Sequence, residues 1–120
     1  MGSRFPKGVL GMEFFVLARA NDSANVPPQV AIALARQTFQ TAKAKPDPRV
    51  KATYLFAGES AGALIIDAKS GDELEEILSS FPLSGISKFE VHPLVHIDTV
   101  LKSIDVQEKR MAAMTPAGVG

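Results

Sequence analysis

The sequence contains no cysteine and no tryptophan, and its 13 basic residues are balanced by 13 acidic ones. Without cysteine, the chain can form no disulfide, no thiolate metal site and no cysteine nucleophile. Without a basic excess, it lacks the positive face with which nucleic-acid-binding proteins displace counterions. No apolar run approaches the roughly 20 residues that span a bilayer. We therefore expect no nucleic-acid partner and no membrane partner, and the composition is compatible with a cytoplasmic location.

Several chemical signatures are also missing. There is no glycine-rich phosphate loop, and no serine stands in a nucleophile elbow. The only two histidines, His92 and His96, are separated by a proline and have no evident third ligand. We predict that the protein holds no metal and needs no cofactor.

A length of 120 residues suits one domain with a modest core. The opening segment, residues 1–11, is either a leader or a native, loosely ordered extension, because it is short and broken by glycine and proline. The organised region is predicted over residues 12–105. The small residues near the C-terminus predict a flexible tail over residues 106–120.

The organised region shows four strand patterns and two helix patterns. Apolar, strand-forming residues predict strands near 13–20, 50–57, 61–68 and 87–93, and period-3.6 stripes predict helices near 28–44 and 70–80. Ser70 and Glu73 form a capping box at the start of the second helix. The order βαββαβ predicts an α+β, ferredoxin-like fold, with two helices on one face of a four-stranded antiparallel sheet.

The first strand, "EFFVLARA", is apolar on both faces. Phe14 and Val16 point to one side, and Phe15 and Leu17 point to the other. Two helices can cover only one face of the sheet, and a bare apolar face is unusual for a monomer. We therefore expect a homodimer or a higher homo-oligomer that packs sheet on sheet, as a dimeric α/β barrel.

A further apolar repeat follows the last strand. It is formed by Ile97, Val100, Leu101 and Ile104, which predict a short amphipathic tail helix. Such a helix could dock on a neighbouring subunit.

The stretch "SGDELEEILSSFPLSGISKFEVHPL" (70–94) resembles the C-terminal half of the muconolactone isomerase family, with its acidic-leucine helix, Leu-Pro-Leu-like turn and strand ending before Pro-Leu. "EFFVLARA" is similar to the family's first strand, and "IIDAKS" to its third strand as it enters the second helix. The second strand keeps Lys51, Tyr54 and Gly58 in comparable places. The resemblance implies the dimeric barrel fold and isomerisation of a small unsaturated lactone without a cofactor.

Lactone isomerisation moves a proton, so it requires a base, a cation for the developing oxyanion and a dry pocket. His92 is the first-choice proton shuttle, because histidine titrates near physiological pH and this one has a fixed place at a strand end. Arg19 and Lys51 are expected to hold the substrate's negative charge, and the hydroxyl of Tyr54 could orient a ligand. The remaining candidate bases and cations are His96, Glu59, Asp67, Glu90, Arg36 and Lys88.

Three functions remain open from the sequence. The first is a cofactor-independent isomerase acting on a small lactone or unsaturated organic acid. The second is a non-catalytic dimer that binds a small ligand or supports another enzyme. The third, which follows only from the fold, is a cofactorless monooxygenase or polyketide-modifying enzyme. A pocket that places Arg19 or Lys51 opposite His92 would favour the first function. A closed apolar space between sheet and helices would favour the second, and a roomy apolar cleft with Tyr54 and one histidine would favour the third.

Overall fold

The computed structural model describes residues 11–44 and 47–114. Its elements follow the predicted order βαββαβ, with a 3-10 turn before the last strand and a third helix after it. They are β1 (Met12–Ala20), α1 (Pro28–Ala44), β2 (Val50–Leu55), β3 (Ala61–Ala68), α2 (Gly71–Ser79), a 3-10 turn (Pro82–Ile86), β4 (Ser87–Pro93) and α3 (Ile97–Met114).

The four strands form one sheet in the order β2-β3-β1-β4, and every neighbouring pair is antiparallel. This confirms the predicted ferredoxin-like, α+β fold. Because side chains alternate along a strand, the register defines two faces. The inner face carries Phe14 and Val16 and packs against α2. The outer face carries Phe15 and Leu17.

The core lies between the inner face and α2. Leu74, Ile77 and Leu78 point from α2 onto the two central strands, β1 and β3. Val16 and Ile66 have no exposed surface at all. Burial of side chains of this size stabilises the fold by about 1.5–3 kcal/mol each, so these two strands and one helix supply most of the packing.

The start of α2 follows the predicted capping box. The Oγ of Ser70 accepts a hydrogen bond of 3.1 Å from the amide of Glu73. The carboxylate of Glu73 accepts a longer bond of 3.4 Å, from the amide of Lys69. The first contact satisfies an amide that the first helical turn leaves without an intrahelical partner, and the second ties the residue before the cap to the helix.

Helix α1 stands away from the sheet and has no buried residue. A side-chain hydrogen bond ties it to the rest of the fold: Oγ1 of Thr38 accepts from the amide of Leu83, at 3.0 Å. The apolar stripe of α1 therefore does not complete the core. It forms one wall of an open cleft instead.

Two details differ from the sequence prediction. Strand β2 ends at Leu55 and not near residue 57, because the chain turns at Gly58, whose φ of 79° lies in the left-handed region. The pairing of β2 with β3 also shifts register between Val50 and Ala52. This irregularity falls at Lys51 and breaks the strict alternation of side chains along β2.

The first part of the tail predicted over residues 106–120 is helical, and its flexibility stays a prediction. Helix α3 continues to Met114, because residues 106–114 contain strong helix formers such as alanine, methionine, glutamate, lysine and arginine. The rest of that tail, and the predicted N-terminal segment except for residue 11, lie outside the described residues. None of the described helices is both long enough and apolar enough to cross a bilayer.

An ion pair fixes the chain where it enters β2. The Arg49 side chain donates to both carboxylate oxygens of Asp47, at 2.9 and 2.8 Å. It also lies 3.6 Å from Glu73, at the start of α2. These hydrogen bonds from Arg49 lower the pKa of Asp47, although partial burial opposes the shift.

The lowered pKa of Asp47 predicts an acid-dependent loss of stability. The contribution is present above the ordinary aspartate pKa of about 3.9 and is lost as the pH falls through the lower folded value. Asp47→Asn should therefore reduce the free energy of unfolding at about pH 6, by less than about 1 kcal/mol because the pair is partly exposed. The difference should vanish near pH 2, as measured by urea unfolding. Asp22→Asn, in the exposed loop after β1, is the control and should show no such pH dependence.

Candidate functional site

An apolar cleft of about 470 Å³ lies between α1 and the inner face of the sheet. Its helix wall is formed by Ile32, Ala35, Thr38 and Phe39. The sheet and the 3-10 turn contribute the opposite wall, formed by Ala18, Thr53, Leu64, Phe81, Leu83 and Phe89. This volume falls within the range of small-molecule sites.

The cleft is open because both walls carry small side chains. Ala31, Ala35 and Ala42 face it from α1, and Ala18 and Gly62 face it from the sheet. Gly62 cannot be enlarged easily, because a Cβ there would lie 2.6 Å from the carbonyl oxygen of Tyr54. Packed layers normally interdigitate without large voids. The space here therefore follows from the choice of residues on both surfaces.

A charged pair stands at the mouth of the cleft. Nη1 of Arg19, at the end of β1, lies 3.0 Å from Oε1 of Glu59, in the β2–β3 hairpin. Both side chains are about half exposed, and both residues border the cleft, although the alternation of β1 places the Arg19 side chain on the same outer face as Phe15 and Leu17. The guanidinium of Arg19 and the carboxylate of Glu59 are thus paired at the entrance to an apolar space.

A second cavity of about 490 Å³ adjoins the C-terminal half of α1. Lys51 and Tyr54 line it from β2. Nζ of Lys51 also lies 3.7 Å from the buried carboxylate of Asp67. Lys51 is therefore held near the base of β3 and does not reach the mouth of the first cleft.

His92 lies on the outer face of the sheet, away from both cavities. Its Nε2 is 2.5 Å from Oε2 of Glu90, and its ring centroid is 6.1 Å from that of Phe15. In the register, His92 opposes Phe15, and Arg19 opposes Lys88. His92 and Arg19 are thus about four residues, or roughly 13 Å, apart along the strands.

The structure brings together only part of the predicted set. Arg19 and Tyr54 line the first cleft, and Tyr54 and Lys51 line the second. His92 lines neither cavity. Lys51 on β2 and His92 on β4 lie at opposite edges of the sheet, three inter-strand spacings or about 14 Å apart. The pairing of Arg19 with Glu59 was not predicted, because the two residues are distant in sequence and meet only when the hairpin folds over the end of β1.

Within the described residues, no three side chains of His, Asp or Glu are grouped as a metal ion would need. The lining of the first cleft is mainly apolar, with hydroxyl groups from threonine and serine as its uncharged polar groups. The arrangement can bind a small, mostly apolar molecule and present its polar end to Arg19 and Glu59.

The solved structure of muconolactone isomerase supports the fold. A crystal structure of muconolactone isomerase superposes with a TM-score of 0.59 at 22% identity, covering 71% of this chain and 90% of the other. MtbAldR gives a TM-score of 0.47 at 12% identity, covering 71% of this chain and 52% of the other. A dimeric ferredoxin-like protein of unknown function from Thermobifida fusca YX gives a TM-score of 0.42 at 14% identity, covering 70% of this chain and 92% of the other.

Comparison of sequences assigns the family. No curated protein matches the chain significantly. The muconolactone delta-isomerase family, however, matches it over residues 12–98, which include all four strands and helices α1 and α2. This chain therefore belongs to the muconolactone delta-isomerase family.

Proposed function

We propose that the protein is a cofactor-independent isomerase that moves a proton on a small lactone or unsaturated organic acid bound in the α1 cleft. The observation that carries this proposal is the Arg19–Glu59 pair at the mouth of an apolar space of ligand size. The family supports the reaction class, and the apolar walls support a substrate of low polarity.

The chemistry requires only the residues at the mouth. The Glu59 carboxylate takes a proton from a carbon next to the substrate carbonyl, and the electron pair moves onto the carbonyl oxygen as an enolate. Arg19 stabilises the negative charge that develops there. The carboxylic acid of Glu59 then returns the proton at the far end of the conjugated system, so that a double bond moves and no atom is gained or lost.

His92 remains a second proposal for the proton shuttle. It is partnered by Glu90, which could fix the orientation of its ring, but its reaction space would be the outer face of the sheet. Arg19 and Lys51 would then have to bind the substrate from elsewhere on that face or from a partner subunit. The two proposals differ in the residue that acts as the base, so single substitutions separate them.

A ligand-binding role without turnover is the second candidate function. It is favoured by the lining of the cleft, which is mostly alanine, leucine, phenylalanine and threonine, with Arg19 and Glu59 as its charged residues. The monooxygenase alternative is less favoured, because neither histidine lines the cleft that Tyr54 borders.

We also propose that two copies pack through their outer faces. Phe15, Leu17 and Ile65 form an apolar patch there that none of the helices described in the structure covers. A symmetric pairing would bury this patch in both copies. A location in the cytoplasm remains a prediction.

Filling the cleft should abolish ligand binding without harming the fold. In the wild-type protein, a small lactone or muconate at ten times its Kd should raise the free energy of unfolding by about 1.4 kcal/mol. For a domain of this size that is a rise in Tm of about 5 °C or more. Ala35→Phe, which fills the cleft from α1, should lose this rise.

The matched control is Ala33→Phe, on the exposed side of the same helix. It should keep the full ligand-induced rise in Tm. Equal rises in the wild-type protein and in Ala35→Phe would show that the cleft is not the binding site. Binding without turnover would select the non-catalytic role.

A further inference from the structure

The two cavities beside α1 are parts of one longer space. Cavities that share much of their lining adjoin each other, and these two share residues from α1, from β2 and from the segment after α2. The shared residues are Phe39, Ala42, Thr53, Tyr54, Leu55 and Phe81. The joint space, defined by the lining residues of both cavities, is here called the α1 trough.

The α1 trough runs along most of α1. Strand β1 ends beside the Arg19–Glu59 pair, and a short loop leads from there to the start of α1. The cleft meets α1 at Ala31, and the second cavity reaches Lys43, near the end of the helix. At a helical rise of about 1.5 Å per residue, these two positions are about 18 Å apart.

In the described part of the chain, charged side chains line the α1 trough only at its two ends. Arg19 and Glu59 stand at the first end, and Lys43, Asp47 and Lys51 stand at the second. The six shared residues between them are uncharged, and most of them are apolar. A charged group placed there would lose its hydration without gaining a partner. The middle of a bound molecule is therefore expected to be apolar.

A small lactone is too short for this space. At the roughly 30 Å³ that a water molecule occupies in the liquid, a lactone of about ten non-hydrogen atoms would occupy at most about 300 Å³. The cleft alone measures about 470 Å³, and the second cavity measures about 490 Å³. Apolar walls that such a ligand leaves bare gain neither burial nor dispersion contacts. The α1 trough is thus matched to a longer molecule.

We propose that the substrate is a lactone or unsaturated acid that carries an elongated apolar chain. Its carbonyl group lies at the Arg19–Glu59 pair, and its chain runs beneath α1, past Phe39 and Ala42, into the second cavity. The position of the carbonyl group rests on the proposed function. The position of the chain rests only on the length and polarity of the trough, so it is tested by binding.

Chain length should govern affinity, as measured by isothermal titration calorimetry with γ-methyl, γ-butyl and γ-octyl butenolides. Each methylene group that is buried in the trough should tighten binding by up to about fourfold. The octyl compound should therefore bind at least about a hundredfold more tightly than the methyl compound. Isomerisation of the same compounds is followed separately, in the wild-type protein and in Glu59→Gln.

Ala42→Phe tests where the chain lies, because residue 42 lines both cavities and marks their junction. Its ring should block the path of the chain, so that the octyl compound binds no more tightly than the butyl compound. Binding of the methyl compound, which lies near the Arg19–Glu59 pair, should be unchanged. The matched control is Ala44→Phe, at the end of the same helix and outside both linings. It should keep the wild-type affinity for all three compounds.

The proposal is overturned if affinity does not rise with chain length, or if Ala42→Phe binds the octyl compound as tightly as the wild type does. Isomerisation of the methyl compound with no gain from a longer chain would refute the elongated substrate and leave the proposed activity standing. A rise in affinity with chain length, lost in Ala42→Phe but without isomerisation, would refute the activity and leave the trough as a site for long apolar ligands.

Discussion

Glu59→Gln is expected to lower kcat at least about a hundredfold, with muconolactone as the first substrate tried. Glutamine keeps the size of the side chain and can still accept a hydrogen bond from Arg19, but it cannot take up the substrate proton. General-base catalysis contributes about 10²–10⁴-fold to a rate. Because Glu59 is half exposed in a hairpin, the substitution should leave the free energy of unfolding nearly unchanged.

The comparison with His92→Ala decides which face of the sheet carries the chemistry. His92 lies on the outer face beside Glu90, so the variant should keep most of the wild-type kcat if the reaction takes place in the α1 cleft. The opposite result, a hundredfold loss in His92→Ala with an active Glu59→Gln, would place proton transfer on the outer face. Both variants should be compared as intact assemblies, since the outer face is also the proposed dimer interface.

Ile66→Ala is expected to cost about 2–5 kcal/mol of stability. Ile66 lies on the central strand β3 with no exposed surface, opposite Phe14 in the register and packed within the core against α2. Its truncation would leave a void that the sheet cannot close, because both neighbouring strands hold it in place. A domain of this kind has a total stability of about 5–15 kcal/mol, so the urea midpoint should fall substantially.

The adjacent Ile65 provides the contrast. It carries the same side chain, but it faces the outer side of the sheet and is only partly buried. At low protein concentration, Ile65→Ala should reduce the free energy of unfolding by less than Ile66→Ala does. The reduction should grow as the protein concentration rises and the outer faces pair. If Ile65→Ala lost as much free energy of unfolding as Ile66→Ala at every protein concentration, the assignment of the two faces would be contradicted.

The order of the elements of the domain, and the bounds of most of them, were determined by the sequence alone. Period-2 runs such as "EFFVLARA", the prolines before α1 and the Ser70–Glu73 cap are local signals, and each acts over a few residues. Strand β1 at Met12–Ala20 and helix α2 at Gly71–Ser79 lie within one residue of the predicted bounds. The resemblance carried by residues 70–94 also predicted the family that the whole domain matches.

The position of the site was decided only by the tertiary structure. The stripe of α1 predicts an apolar face, but no pattern shows that the facing sheet is also lined by small residues and that the layers therefore leave a cleft. Likewise, Arg19 and Glu59 are 40 residues apart, and their contact depends on where the hairpin folds. The irregular register at Val50–Ala52 interrupts the alternation of β2 at Lys51, and no local pattern predicted it. Local propensity specifies each element, whereas the space between elements depends on how side chains distant in sequence fill it.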